Sequence, residues 1–173
     1  MSSSSLDRPA RRAFLGLIFA SAALMGSCQV RPLLDQSSGT AQKLAAIAYS
    51  PAKDRVSQEV RNRLIFLTAG GEGEPANPEY IVDLSVKSQS IGVLLDQSSD
   101  DPSAGRIVVN ADYSLKRASD GMVLRVGHRQ SVALADFSKQ EFAKLRAVRD
   151  GEDRAARQVA ELIRADLATF LGR

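Results

Sequence analysis

The sequence predicts an α+β domain: a mainly antiparallel four-stranded sheet with helices packed on one face, in the order β-α-β-β-β-α. Three observations carry this. Residues 80–86 and 107–115 alternate apolar with polar side chains, the period of two that buries one face of a strand. Asp54–Thr68 and the last third of the chain repeat apolar residues at helical spacing instead. Finally, 173 residues with 44% hydrophobic and 25% charged content suit one ordinary globular core.

The first 27 residues stand apart from that core. Residues 1–12 are polar and end in Arg11-Arg12, and the uncharged stretch Ala13–Met25 is too short to cross a bilayer core of about 30 Å as a helix. The order of charged, apolar and small residues is that of a signal peptide. Arg11-Arg12-Ala13-Phe14-Leu15 resembles the core of a twin-arginine signal, with Ala10 and Gly16 where Ser/Thr and Lys are usual. An ordinary leader is the simpler reading, and both routes end across the inner membrane.

Leu24-Met25-Gly26-Ser27-Cys28 resembles a bacterial lipobox: an apolar residue three before the cysteine, then two small residues that fit a tight peptidase site. Cys28 is the sole cysteine and follows the apolar run directly, which argues for lipidation against a buried or unused thiol. Cleavage there gives 1–27 as leader, 28–42 as a lipidated tether and 43–173 as a single periplasmic domain. Gln29, where an Asp would retain the protein at the inner membrane, fits sorting to the outer membrane.

Within the domain, residues 43–49 are expected to form a first strand, with Leu44, Ala46 and Ala48 on one parity. Val56, Val60, Leu64 and Leu67 make one face of a helix over about 54–68, closed by Ala69-Gly70-Gly71. Tyr80, Val82, Leu84 and Val86 mark the next strand, and 96–105 reads as an acidic loop. Ile107, Val109, Ala111, Tyr113 and Leu115 give the clearest strand of all. Asp120-Gly121 is expected to form a tight hairpin, with Met122, Leu124 and Val126 opening the return strand to about Ala135. Ser138 and Glu141 read as a capping box, with Phe137 and Phe142 as its hydrophobic staple. A second helix start is expected at Asp150, followed by the stripe Ala156, Val159, Ala160, Ile163, Leu167 and Phe170.

With these elements placed, Cys28-Gln29-Val30-Arg31-Pro32-Leu33 resembles the start of the LPS-assembly lipoprotein family LptE, formerly RlpB, in which Arg-Pro-Leu follows the lipidated cysteine closely. Val60-Arg61-Asn62-Arg63-Leu64 is similar to that family's early helix, and the meander and long terminal helix match its layout. Val30 stands where the family often has Phe, and Leu34 where Tyr or Gly is common. The resemblance implies a non-enzymatic protein that plugs and helps assemble the outer-membrane β-barrel LptD and assists delivery of lipopolysaccharide to the outer leaflet. It implies no cofactor beyond the covalent lipid on Cys28. An auxiliary lipoprotein of an ABC-type lipid-transport system is the alternative.

Other chemistry is thinly represented. The net charge of +3 falls to +1 without residues 1–27, where 20 basic residues meet 19 acidic ones, so nothing points to nucleic acid. His128 is the sole histidine, which leaves no zinc set and at most a Ser hydrolase with one unsupported base; a histidine on the sheet surface is the plainer reading. Gly70-Gly71-Glu72-Gly73 lacks the Lys-Ser/Thr of a phosphate loop. Arg106, Lys116, Arg117, Arg125 and Arg129 cluster in sequence around the central hairpin, and Arg125 and Arg129 share a parity. They form either scattered charge on a solvated sheet or a patch for lipopolysaccharide phosphates or an acidic barrel wall, since Arg binds phosphate in a bidentate way.

Overall fold

In the computed structural model, the described residues are 39–95 and 102–173. The expected leader, Cys28, the tether up to residue 38 and residues 96–101 lie outside them. Among the described residues the elements run α1 (Thr40–Ala45), β1 (Ile47–Tyr49), α2 (Arg55–Ala69), β2 (Tyr80–Leu95), β3 (Pro102–Arg117), β4 (Val123–Asp136) and α3 (Glu141–Leu171). The four strands form one sheet in the order β1-β2-β3-β4. β1 runs parallel to β2, with Ile47 opposite Tyr80, and the other two pairings are antiparallel.

One face of this sheet is buried under the helices. Ile107, Val109, Ala111, Tyr113 and Leu115, every second residue of β3, are buried as their alternation predicts. Their neighbours on the same face are Val82 and Leu84 on β2 and Ser131 and Ala133 on β4. α3 lies over β3 and β4, and α2 packs against α3 and β2. Ala156, Val159, Ala160, Ile163 and Leu167 of α3 are fully buried, and so are Val60 and Leu64 of α2.

The start of α2 is fixed locally. Asp54 accepts the Ser57 N–H at 2.9 Å and the Ser57 hydroxyl at 2.8 Å, satisfying a donor that the helix itself leaves unpaired. That backbone hydrogen bond is the main reason the Asp54 carboxyl is held below the usual carboxylate range. The helix ends as expected at Gly70, whose φ of 62° is the left-handed conformation a glycine adopts without steric cost.

Several expectations are corrected. The first half of the strand expected over 43–49 is helical: α1 occupies Thr40–Ala45, leaving β1 only Ile47–Tyr49. A short apolar run carries no period of its own, and Leu44 is buried from the helix while Lys43 donates to the Leu171 carbonyl at 2.8 Å. The loop expected over 96–105 is shorter, since β3 begins at Pro102. Gly105 is paired with Gly92 and Ala135 inside the strand, and the Phe137 ring lies 1.9 Å from where its Cβ would stand.

The hairpin at Asp120-Gly121 is wider than a two-residue turn. β3 ends at Arg117 and β4 begins at Val123, while Gly121 at φ 69° donates to the Arg117 carbonyl at 2.9 Å. Leu124 and Val126 do open the return strand, with Met122 just before it, and a register shift beyond Leu115 separates Leu124, partly buried against the core, from the exposed Val126. Ser138 accepts from the Gln140 N–H at 3.1 Å and α3 starts at Glu141, so the capping box is not formed. Phe142 is 85% exposed, and Phe137 covers Gly105 instead of stapling the helix. Nor does a helix start at Asp150: α3 is continuous over 31 residues. Gly151 sits mid-helix and buried, with Ile107 Cδ1 2.9 Å from where its Cβ would be.

These placements set unequal costs. Leu64→Ala is expected to cost about 2–5 kcal/mol through cavity formation, and Asp54→Ala about 0.5–2 kcal/mol through loss of the cap. Phe142→Ala should stay within about 0.5 kcal/mol. Urea unfolding followed by circular dichroism checks the ranking, and a Phe142 loss equal to that of Leu64 would show that the ring is packed after all.

Candidate functional site

The five cations expected to cluster are divided by the pleat of the sheet. Arg106 and Lys116 are even-numbered residues of β3 and point to the face away from the helices, where Lys116 Nζ meets Asp83 Oδ2 at 2.6 Å. Arg106 stands between Ile91 on β2 and Leu134 on β4 on that same face. Arg117 closes β3 and pairs with Asp120 at 2.8 Å, lining a cleft of about 520 Å³ with Pro78, Tyr80 and Ser119. Only Arg125 and Arg129 come together, as their shared parity predicts.

Both reach the helix-covered side and meet one carboxylate. Arg129 Nη2 lies 2.7 Å from Asp166 Oδ2 and Arg125 Nη2 lies 3.4 Å from Asp166 Oδ1. The Tyr113 hydroxyl donates to the same carboxylate. Asp166 is on α3, its side chain only 12% exposed, so two guanidinium groups and a phenol offset the cost of withdrawing it from water. Gly127, between the two arginines on β4, makes room: a Cβ there would fall 2.4 Å from the Tyr113 ring. Two cations on one anion leave the group with one net positive charge at the sheet margin.

Asp166 was the residue the sequence pattern did not single out. Its signal was present, since an acid three residues after Ile163 and one before Leu167 lies at the border of the buried stripe and requires a partner. On the opposite face, His128 Nδ1 is 2.8 Å from Asp112 Oδ1, which confirms the histidine as a sheet-surface residue. Ser85 pairs with Asp112 from the other side, so the row reads Ser85, Asp112, His128 across three strands. Asp112 occupies the middle place that the base holds in a serine hydrolase, and the row is exposed. Among the described residues, no group of three or more His, Cys, Asp or Glu side chains is placed to hold a metal ion. Cys28 lies outside the described residues.

No family model matches the sequence, and no curated protein does. Solved structures do match. A protein described as a lipoprotein from Caulobacter crescentus CB15 superposes with a TM-score of 0.64 at 24% identity, covering 78% of this chain and 96% of that one. Rare lipoprotein B from Shewanella oneidensis matches with a TM-score of 0.54 at 12% identity, over 71% of this chain and 92% of that one. The chain has the fold of rare lipoprotein B. A minor lipoprotein from Acinetobacter baumannii shares it with a TM-score of 0.51 at 7% identity, over 71% of this chain and 88% of that one.

Within this fold the segment Val60–Leu64 alternates core and pairing residues. Val60 and Leu64 are core residues, while Arg61 pairs with Glu74 in the following loop and Arg63 reaches Glu161 on α3 at 2.8 Å. Asn62 accepts from Gln58 at 2.7 Å. The segment therefore fastens α2 to its surroundings on both sides.

Burial, and then the Asp166 hydrogen bond, raise the Tyr113 pKa from 10.0 to about 12. A phenol whose folded pKa lies above its unfolded value contributes stability that is fully present below the unfolded value of 10.0 and is lost as pH rises through about 12. Tyr113→Phe is expected to flatten the fall of Tm across that window, leaving the part that belongs to Tyr49, whose pKa burial also raises. An unchanged Tm profile would detach Tyr113 from the alkaline transition.

Proposed function

We propose that this chain is an outer-membrane lipoprotein, anchored on the periplasmic face through lipid on Cys28, that plugs and helps assemble an LptD-like β-barrel and assists delivery of lipopolysaccharide to the outer leaflet. The observation that carries the proposal is the rare lipoprotein B fold on a chain that also reads Cys28-Gln29-Val30-Arg31-Pro32-Leu33. The physical logic is consistent with it. A wide barrel leaves a lumen that its own side chains cannot fill, and a sheet stiffened by a continuous 31-residue helix is a rigid filler. Acyl chains contribute about 0.8 kcal/mol per buried methylene, and more than one chain at Cys28 gives stable anchoring. Among the described residues no helix is long and apolar enough to cross a membrane.

The role is one of binding and not of catalysis, in keeping with the exposed Ser85, Asp112, His128 row. For lipopolysaccharide or barrel contact, the Arg125–Arg129 pair is the best-organised of the predicted cations, because Asp166 fixes both guanidinium groups and leaves a net positive charge.

Affinity purification of the intact protein from detergent-solubilised outer membrane is expected to recover a large β-barrel. Recovery of inner-membrane transporter subunits instead would favour the ABC-type auxiliary reading. In a separate assay, Arg125→Glu with Arg129→Glu is expected to weaken lipopolysaccharide binding at least tenfold, roughly 1.4 kcal/mol, while Arg→Lys at both positions retains most of it. Unchanged affinity in the Glu variant removes this pair from the lipid contact.

A further inference from the structure

β4 is an edge strand, and it is built unlike a protected one. Two observations orient its backbone. Phe137, just past its end, donates its N–H to Ser103 on the β3 side at 2.8 Å, so odd-numbered residues bond inward. The carbonyls of His128 and Leu134 accept instead from the side chains of Arg129 and Arg154, as outward-facing even-numbered groups would. The same even-numbered residues carry their side chains on the face away from the helices. Val126 is 67% exposed there, Val132 45% and Leu134 71%. Edge strands in monomers are usually blunted by lysine, proline or a bulge. The free length of β2, beyond the short β1, follows that rule with Ser85, Lys87 and Gln89, and where it exposes Ile91 and Val93 a register shift past Gly92 interrupts it. β4 between Val126 and Leu134 has no lysine, no proline and no register shift.

We propose that β4 is a docking edge for a second copy of this chain, the two β4 strands pairing antiparallel about a two-fold axis at Gln130 to join two four-stranded sheets into one. The sequence of the strand selects this occupant and this register. With Gln130 opposite its own copy, Val126 faces Leu134, an apolar pair that the two-fold axis forms twice, and His128 faces Val132. On the helix side Arg125 faces Ala135 and Arg129 faces Ser131, which opposes no like charges, and both arginines are already drawn to Asp166. Gln130 lies at the middle of Val123–Asp136, so this register uses the whole strand, whereas a slip of two residues either way shortens the ladder. Pairing requires the Arg129 and Arg154 side chains to release two carbonyls, which makes the association reversible and dependent on concentration. The inference does not depend on the barrel reading.

The test uses the full mature protein in detergent. Sedimentation is expected to show a dimer whose fraction rises with concentration, and Gln130→Cys should cross-link to its own copy with a short thiol-specific reagent. The unsubstituted chain controls for Cys28, and Lys87→Cys, on the other side of the sheet, should not cross-link. Val126→Lys with Leu134→Lys alters only exposed side chains, so its fold should survive by circular dichroism while the dimer is lost. A monomer at every concentration, or a dimer that persists in the lysine variant and fails to cross-link at Gln130, overturns the proposal.

Discussion

The architecture depends on how closely one long helix can approach one strand. α3 lies along β3 and β4 because its inward stripe is mostly small: Gly151, Ala155, Ala156, Ala160 and Ala168 are buried. At Gly151 the Ile107 side chain fills the space a Cβ would take. A glycine inside a helix costs roughly 1 kcal/mol relative to alanine, and contact across the whole stripe offsets that. The larger Val159, Ile163 and Leu167 then fill the remaining depth, and α2 closes the core from the β2 side with Val60 and Leu64.

The same close approach determines where charge can sit. A helix lying flat on a sheet leaves its flanking polar residues at a margin that is neither water nor core, and each requires a partner there. Asp166 is satisfied by Tyr113, Arg125 and Arg129. Arg55 reaches Glu152 and Asp153, and Ser131 donates to Gln158 at 2.6 Å. Most of the exposed pairs contribute little individually, at about 0–1 kcal/mol. The Asp166 group differs because its carboxylate is withdrawn from water, so removing a partner there leaves a charge without compensation.

What could be read from the sequence follows from which forces are periodic. The alternation of Ile107 to Leu115 and the stripe from Ala156 to Leu167 are long enough to fix element, face and burial together, and all of those residues are in the core. Short or non-periodic signals failed for physical reasons. Leu44-Ala45-Ala46 suits a turn of helix as well as a strand, and tertiary contact decides between them. The register shift after Leu115 puts Leu124 and Val126 on different faces despite their shared parity, and no local residue type announces it. A second helix start was expected at Asp150 because the packing that holds its neighbour Gly151 inside one helix depends on a residue 44 positions away, Ile107. For the site, parity was enough to join Arg125 to Arg129, but adjacency in sequence wrongly added Arg106, Lys116 and Arg117, since neighbouring positions on a hairpin can lie on opposite faces.

The burial of one sheet face under the helices leaves the other without a helix over it. Its upper rows are polar and paired, with Asp83 to Lys116 and Asp112 to His128, while further along Val132, beside the buried Val108, and Leu134, beside Arg106, expose apolar side chains on β4. A monomer gains nothing in stability from exposing Leu134 on an edge strand, because the same backbone would pair equally well with lysine or threonine there. The chain therefore presents two distinct surfaces: a charged margin organised by Asp166 on the helix side, and an edge strand with exposed apolar side chains on the other.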